Sequence, residues 1–262
     1  MRGDDEFLPS VCIDAVFEGK PVAEACATVR ETGIPAVEFW GWWDRDLDEL
    51  VAARDAEGLA FSACCTKFIS LVDPASQEAY LEGLRQSIEV ATDLGIRTLI
   101  SQVGDVLPGV PRSEQHDALV GGLREAAAML RATDITLVIE PLNELVDHPG
   151  YYLVQSPEAF EIVQEVASPH VQVVFDIYHQ QISEGNVLAN LRRHLERGHI
   201  GHLHAAGNPG RHELQRGELH YRSILSAIKE TGYTGYVGLE YWPADEDPLP
   251  ALREVAGWMR DG

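Results

Sequence analysis

Four side chains that can bind a metal ion or carry a proton stand at the ends of four successive β-rich segments. The segments TLVIE, VQVVFD, IGHLH and YVGLE end in Glu140, Asp176, His204 and Glu240. Pro141 follows Glu140 directly and removes the next backbone donor, so this strand should stop at its acid. If the four strands lie in one parallel barrel, their carboxyl ends bring these side chains to one place.

A group of three carboxylates and one imidazole favours a divalent cation. Carboxylates that share a site raise one another's pKa, so all three stay ionised only beside a positive charge. Oxygen donors with one imidazole suit Mn2+ or Mg2+, with Co2+ as a further option, whereas a structural zinc site would use thiolates. A single acid at a strand end is more often a helix cap or an ion-pair partner. The recurrence on four consecutive strands is what favours a metal centre.

Two further histidines and one arginine are also candidates. His202 precedes His204 by two residues and points the same way one layer deeper, where a hydrogen-bonded interior role is expected rather than ligation. His179 lies just past the VQVVFD strand, where it either faces a substrate or begins a helix. Arg211 lies in the longest loop segment, AAGNPGRHELQRGELH, and either clamps an oxyanion or is solvated.

Aromatic and basic residues after the second and third strands complete the set. At least one of Trp40, Trp42 and Trp43 is expected to wall a pocket, although aromatic residues at strand ends often only pack. Lys67 follows the third strand and can contact a substrate oxygen, although a surface lysine is the more common role. Trp40 and Lys67 are therefore substrate-binding candidates.

The elements that must position these residues alternate regularly along the chain, with β-rich segments followed by stretches of helical period. The strand candidates are Ser10–Asp14, Ala36–Phe39, Ala60–Cys64, Thr98–Gln102, Thr136–Glu140, Gln172–Asp176, Ile200–His204 and Val237–Glu240. The helical candidates are Pro21–Thr32, Leu47–Glu57, Gln77–Leu94, Ser113–Thr133, Pro157–Val166, Val187–Arg197, Tyr221–Thr231 and Pro250–Arg260. This alternation predicts an α/β fold, a (β/α)8 TIM barrel that spans residues 1–262 as a single domain.

Composition and charge exclude several other classes. The chain has 262 residues, of which 45% are hydrophobic, which is ample for one closed core. Its formal net charge of -22 repels phosphate backbones, so nucleic acid is not an expected partner. It contains neither an apolar leader nor an apolar run of about 18 residues, which predicts a cytoplasmic protein without a membrane span. The four cysteines lack CxxC spacing, as expected of a reduced compartment.

The second half of the sequence resembles a known enzyme family. The segments IEPLN, FDIYHQQISEG, GHLHAAGNPGR, GELHY and YVGLEYWP are similar to those of the hydroxypyruvate isomerase family, within the xylose isomerase-like barrels of sugar isomerases and epimerases. The similar motifs lie close together from about Ile135 to Pro243. Before Ile135 the similarity is mainly in the alternation of strands and helices.

The resemblance implies a metal-dependent isomerase acting on a small hydroxy-carbonyl compound or sugar. Two glutamates, Glu140 and Glu240, would transfer the proton α to a carbonyl through an enediolate. The implied site residues fall in two sets, the metal ligands Glu140, Asp176, His204 and Glu240 and the substrate contacts His179 and Arg211. Barrels of this family often pair, so a homo-oligomer is compatible with the resemblance, but no surface stripe of the sequence identifies an interface.

Two departures from the hydroxypyruvate isomerases bear on the reaction. These enzymes carry glutamine where this chain has His204, whereas the related ketose 3-epimerases carry histidine there. The following loop also differs, since HELQRG stands where these isomerases have a Gly/Pro-rich turn. Isomerisation is therefore expected first and ketose 3-epimerisation is the alternative. A lyase subunit acting on 3-keto sugars, an abasic-site endonuclease and a barrel that only binds sugar are more distant alternatives.

Overall fold

Eight parallel strands close into a barrel in the order in which they occur along the chain, which confirms the predicted fold. The computed structural model describes residues 7–261. Closure comes from the pairing of β1 (Leu8–Cys12) with β8 (Tyr236–Leu239). The strands between them are β2 (Ala36–Phe39), β3 (Ala60–Cys65), β4 (Thr98–Ser101), β5 (Thr136–Ile139), β6 (Val171–Asp176) and β7 (Ile200–Ala205).

Helices connect the strands and cover the outside of the barrel. Those of the described residues are α1 (Ile13–Val16), α2 (Val22–Thr32), α3 (Leu47–Glu57), α4 (Gln77–Leu94), α5 (Arg112–Leu130), α6 (Ser156–Val166), α7 (Ile177–Ser183), α8 (Val187–Leu195), α9 (Tyr221–Glu230) and α10 (Leu249–Asp261). Between residues 7 and 261, no helix combines the length and apolar character needed to cross a membrane.

Most predicted element ends differ from the structure by one to three residues, and two differences bear on the site. The sequence predicts Asp14 as the end of the first strand, but β1 ends at Cys12 and Asp14 lies in α1. Its carboxylate accepts a hydrogen bond from the backbone N–H of Trp40 at 2.7 Å, a contact between distant segments that no local pattern reveals. In addition, α7 begins directly after Asp176, although the predicted helices do not include it. The end of β6 is thus also the start of a helix.

Alternation along the strands separates two apolar clusters. The larger one lies between the barrel and its helices, and the smaller one consists of Ala63, Cys65, Ile100, Val138 and Val174. Residues two positions closer to the carboxyl end of a strand place their side chains on the same face. For Val138 and Val174 those side chains belong to Glu140 and Asp176. The interior face of the barrel therefore continues directly into the predicted site.

Candidate metal centre and active site

The four predicted ligands meet at the carboxyl ends of the strands and form what we call the strand-end cluster (Glu140, Asp176, His204 and Glu240). Nδ1 of His204 lies 3.3 Å from Oε1 of Glu140 and 3.6 Å from Oε2 of Glu240. One ligand atom of each residue lies within 4.8 Å of every other, and all four residues are buried. Glu140 and Glu240 stand one residue beyond β5 and β8 rather than within them. The structure thus brings the whole predicted set together.

Asp176 is oriented by the helix that begins beside it. Its Oδ1 accepts hydrogen bonds from the backbone N–H groups of Tyr178 at 2.7 Å and His179 at 3.1 Å, so it caps α7. Its Oδ2 lies 3.6 Å from Nε2 of His179 and 3.7 Å from Nη2 of Arg211. One oxygen is therefore used for structure, and the other faces the cluster.

The two glutamates are held by donors from other strands. The indole N–H of Trp40 donates to Oε1 of Glu240 at 2.6 Å. The side-chain amide of Gln102, one residue beyond β4, donates to Oε2 of Glu140 at 3.4 Å. Each glutamate thus has one oxygen on a neutral donor and its other oxygen near His204. These contacts limit the directions in which the carboxylates can point.

Positive and negative side chains lie close together in the cluster and change one another's pKa. Burial alone would lower the pKa of His204, but the carboxylates of Glu240 and Glu38 raise it well above its usual range. Burial would raise the pKa of Glu240, yet His204 and Arg211 lower it. Burial raises the pKa of Asp176 against the opposing effect of Arg211. Nearby positive charge therefore favours the ionised form of Glu240.

The donor set fits a hard divalent cation. Three carboxylates and one imidazole match the preferences of Mn2+ or Mg2+, and of Co2+. His204 turns Nδ1 toward the two glutamates, whereas its Nε2 lies 3.1 Å from Oε1 of Glu38, so one ring nitrogen is available to the cluster. Burial raises the pKa of the nearby Cys65 thiol well above its usual value, which keeps it protonated and a poor ligand.

His179 presents a hydrogen-bond donor to the site. Oδ1 of Asn143 accepts from the backbone N–H groups of Val146 at 3.0 Å and Asp147 at 3.2 Å, which fixes the orientation of the Asn143 amide. Its Nδ2 then donates to Nδ1 of His179 at 2.7 Å. The His179 proton must therefore sit on Nε2, which faces Asp176 and has no hydrogen-bond partner within the described residues. Of the two roles left open by the sequence, this geometry favours contact with a substrate.

We expect His179 to remain neutral well below the usual histidine range, because burial and then Arg211 lower its pKa to about 3. The unfolded chain binds this proton near pH 6.5, so the stability that neutral His179 contributes is complete above that pH and is lost as pH falls toward 3. Long-range 1H–15N NMR should show the ring neutral, with its proton on Nε2, from about pH 8 to pH 5. A His179 ring that titrates near pH 6.5 would contradict this expectation.

Arg211 belongs to the site and is not solvated. It takes a left-handed backbone conformation, with φ of 52°, that directs its side chain into the barrel mouth. Its Nη2 pairs with Oε2 of Glu240, and its guanidinium lies 5.2 Å from the ring centre of Tyr178 and 5.1 Å from that of Trp242. A non-glycine residue with positive φ is uncommon and is often found at functional sites.

A cavity of about 560 Å3 opens above the cluster. Its walls include Trp40, Ile100, Gln102, Leu142, Tyr151 and Trp242. Trp40 thus meets the expectation that one of the three early tryptophans walls a pocket. Gln102 and Trp242 are site residues that the sequence analysis did not identify. Both closely follow the end of a strand, and this position could have indicated that they reach the site. Tyr151 reaches the site from a loop, and no local pattern identifies it.

The structure does not place Lys67, a predicted substrate contact, among the residues that line the cavity. Its ammonium donates to Oε1 of Gln86 on α4 at 2.6 Å and lies 5.3 Å from the ring centre of Trp42. Its stem packs beside Gly83, where an added Cβ would lie 3.5 Å from the Lys67 Cβ. The side chain therefore follows α4 instead of turning into the cavity.

Comparison with known proteins places this geometry in a family. The family model described as a xylose isomerase-like TIM barrel matches residues 26–262. Hydroxypyruvate isomerase from Escherichia coli (strain K12) is 32% identical over 222 residues, which cover 81% of this chain and 84% of that protein. The 2-oxo-tetronate isomerase of Cupriavidus necator is 32% identical over 225 residues, which cover 83% and 85%.

A solved structure agrees with this result. The crystal structure of an AP endonuclease, family 2, from Brucella melitensis superposes with a TM-score of 0.88 at 26% identity, over 97% of this chain and 99% of that one. The resemblance to the hydroxypyruvate isomerase family is confirmed by these matches, and the matched range contains the whole strand-end cluster. This chain belongs to the xylose isomerase-like TIM-barrel family.

Proposed function

We propose that this protein is a divalent-metal-dependent isomerase that acts on a small hydroxy-carbonyl compound or sugar by moving a proton through an enediolate. The observation that carries the proposal is a pair of buried glutamates on either side of one imidazole, at the base of a cavity. Relatives that are named as isomerases support the reaction class. The donor set supports Mn2+ or Mg2+, with Co2+ as a further option.

The four residues of the strand-end cluster would hold the cation. Bound there, it would polarise a substrate carbonyl and stabilise negative charge on the adjacent oxygen. The three carboxylates would balance its charge, and the burial of all four residues would strengthen these interactions relative to bulk water.

The two glutamates would carry the proton. One, as the carboxylate, would remove the proton on the carbon next to the carbonyl, and the other, as the acid, would give a proton to the former carbonyl carbon. A proton also passes from the substrate hydroxyl to the former carbonyl oxygen, so that a ketose becomes an aldose or the reverse. Trp40 and Arg211 hold the two oxygens of Glu240. Gln102 and His204 hold those of Glu140. Because the donors come from different strands, the two bases are fixed relative to each other by the barrel itself.

His179 and Arg211 would orient the substrate. The fixed Nε2–H of His179 can donate to a substrate hydroxyl or carbonyl oxygen, since its other nitrogen is already bonded to Asn143. The Arg211 guanidinium, held between Tyr178 and Trp242, adds positive charge next to the glutamates. Both groups would favour the negative oxygen that develops as the proton leaves.

A substrate panel in D2O tests the proposal. The Mn2+-loaded protein is incubated with hydroxypyruvate, four-carbon 2-oxo acids, ketopentoses and ketohexoses, and products are followed by 1H NMR. We expect one class to be converted, with solvent deuterium at the carbon that accepts the proton. Failure of every class to convert or to exchange deuterium would reject the isomerase proposal.

Ketose 3-epimerisation is the second candidate. Two features favour it, the histidine at position 204 and a cavity of about 560 Å3, which is larger than a three-carbon substrate needs. The same panel separates the two reactions. An epimerase returns deuterium to the carbon that lost the proton and keeps the carbonyl in place, whereas an isomerase moves the carbonyl to the neighbouring carbon.

Endonuclease activity is a weaker alternative despite the similarity to the Brucella melitensis structure. A net charge of -22 opposes a DNA backbone, and the strand-end cluster offers a single imidazole. Titration with an abasic-site duplex at low salt is expected to show no binding. Tight, salt-dependent binding would favour this alternative.

A further inference from the structure

A second buried group lies beneath the strand-end cluster. Glu38, on β2, accepts hydrogen bonds at Oε2 from Nε2 of His202 at 3.0 Å and from the hydroxyl of Ser62 at 2.9 Å. Its Oε1 lies 3.1 Å from Nε2 of His204. The carboxylate thus joins two histidines of β7, one of which belongs to the cluster. His202 occupies the hydrogen-bonded interior position that the sequence predicts.

The buried carboxylate of Glu38 is paired with two imidazoles. The residue is 3% exposed, and among the ion pairs of residues 7–261 it contacts only His202 and His204. One of its oxygens accepts from the Ser62 hydroxyl and lies at hydrogen-bond distance from His202, and the other lies beside His204. A carboxylate oxygen in such a position accepts hydrogen bonds, so each histidine is expected to direct an N–H toward it.

The barrel makes room for this carboxylate at one glycine. Gly238, on β8, pairs in register with His204. A Cβ at position 238 would overlap Oε1 of Glu38 and would lie 2.8 Å from Cδ2 of His204. Any other residue would push the carboxylate and the ring apart. The absence of a side chain at Gly238 therefore leaves the space in which Glu38 contacts His204.

From this geometry we infer that Glu38 is a positioning residue for the metal site, which pairs with Nε2 of His204 and so holds Nδ1 toward Glu140 and Glu240. The inference rests on the proposed function, because it takes the strand-end cluster to hold a divalent cation. His202 and Ser62 bind the other oxygen of Glu38 and thereby fix the carboxylate. Loss of such a partner to a metal-binding histidine typically lowers metal affinity about 10–100-fold.

The substitution Glu38→Gln tests this role. The amide keeps the volume of the side chain but cannot accept a hydrogen bond from both histidines. We expect the Kd for Mn2+, measured from the EPR signal of free Mn2+, to rise about 10–100-fold. In the Mg2+-loaded protein, long-range 1H–15N NMR should find the His204 proton on Nε2 in the wild type and a mixture of ring states in the variant.

Tyr80→Phe is the matched control. It removes a buried hydrogen bond between the hydroxyls of Tyr80 and Ser101, 3.0 Å apart, that involves neither histidine. Its Mn2+ affinity and His204 spectrum should match those of the wild type. Should Glu38→Gln not fold, Glu38→Asp retains the charge but draws it back by one methylene, and its Mn2+ Kd is expected to rise as well.

Two results would overturn the inference. The first is an unchanged Mn2+ Kd together with an unchanged His204 ring state in the Glu38 variants. The second is binding of two Mn2+ ions to the wild type and one to the variant, because Glu38, His202 and His204 would then be metal ligands themselves. The proposed function can fail without the Glu38 inference. A protein that binds Mn2+ but converts no substrate would reject the isomerase proposal and would leave the Glu38 test valid. A wild type that binds no divalent ion rejects both.

Discussion

Replacing Glu140 or Glu240 with glutamine should lower kcat by a factor on the order of 10²–10⁴, because the amide cannot accept the substrate proton. Glutamine keeps the volume of the side chain and retains one oxygen that can face a cation, so the barrel should remain folded. Turnover is measured with the best substrate of the panel, and metal content is measured on the same samples. Near-normal turnover in either variant would reject the assignment of that glutamate.

Glu213→Gln is the control for these two variants. Glu213 is also buried, but its Oε1 accepts from the backbone N–H of Ala244 at 2.9 Å, and it does not line the cavity. Its replacement should leave kcat unchanged.

Deuterium exchange in the Glu140 and Glu240 variants separates the two catalytic roles. A variant that lacks the proton-removing base should lose both exchange and turnover, whereas one that lacks only the returning acid should still exchange the substrate proton with solvent.

Removal of divalent metal is expected to abolish turnover, and Mn2+ should restore it. The strand-end cluster concentrates three buried acids, and without a cation these groups cannot polarise a carbonyl. Dialysis against a chelator, elemental analysis and activity before and after Mn2+ addition are the measurements. Addition of metal at about 100 times its Kd should also stabilise the fold by about 2.7 kcal/mol. Full activity in a verified metal-free preparation would exclude the metal role.

The pH dependence of this metal binding has a defined sign. Glu240 and Glu38 raise the pKa of His204 well above its usual range, against the effect of burial. The ring therefore carries a proton at neutral pH that must leave Nδ1 before that nitrogen can bind a cation. Metal affinity should rise with pH, and calorimetry in two buffers of different ionisation enthalpy should detect proton release. Affinity that is constant from pH 6 to pH 9 would contradict this expectation.

Much of the site could be predicted because its ligands follow a local rule. Glu140, Asp176, His204 and Glu240 each end a β-rich segment, and parallel strands in a barrel bring such ends together. Alternation of side chains then orients them without any knowledge of distant contacts. Strand position does not predict the direction of the Lys67 side chain, because its contacts with α4 decide where this long side chain lies.

Contacts between distant segments were beyond prediction from the sequence. Trp40 donates to Glu240 across 200 residues of chain, and Glu38 meets His202 across 164. The local sequence around these residues reads the same whether or not the contact forms. The left-handed backbone of Arg211 is a further example, since it depends on how the whole β7–α9 loop folds over the barrel.

The sequence by itself determined the eight-stranded barrel and the four residues at its strand ends, because strand alternation and helical period are local properties of the chain. Only the tertiary structure decided which nitrogen of His204 faces the acids and which nitrogen of His179 carries the proton. It also decided that Glu38 lies next to His204, beneath the strand-end cluster. These features depend on an ion pair and a hydrogen bond between segments far apart in sequence. Their geometry is set by the closure of the barrel, which no single segment encodes.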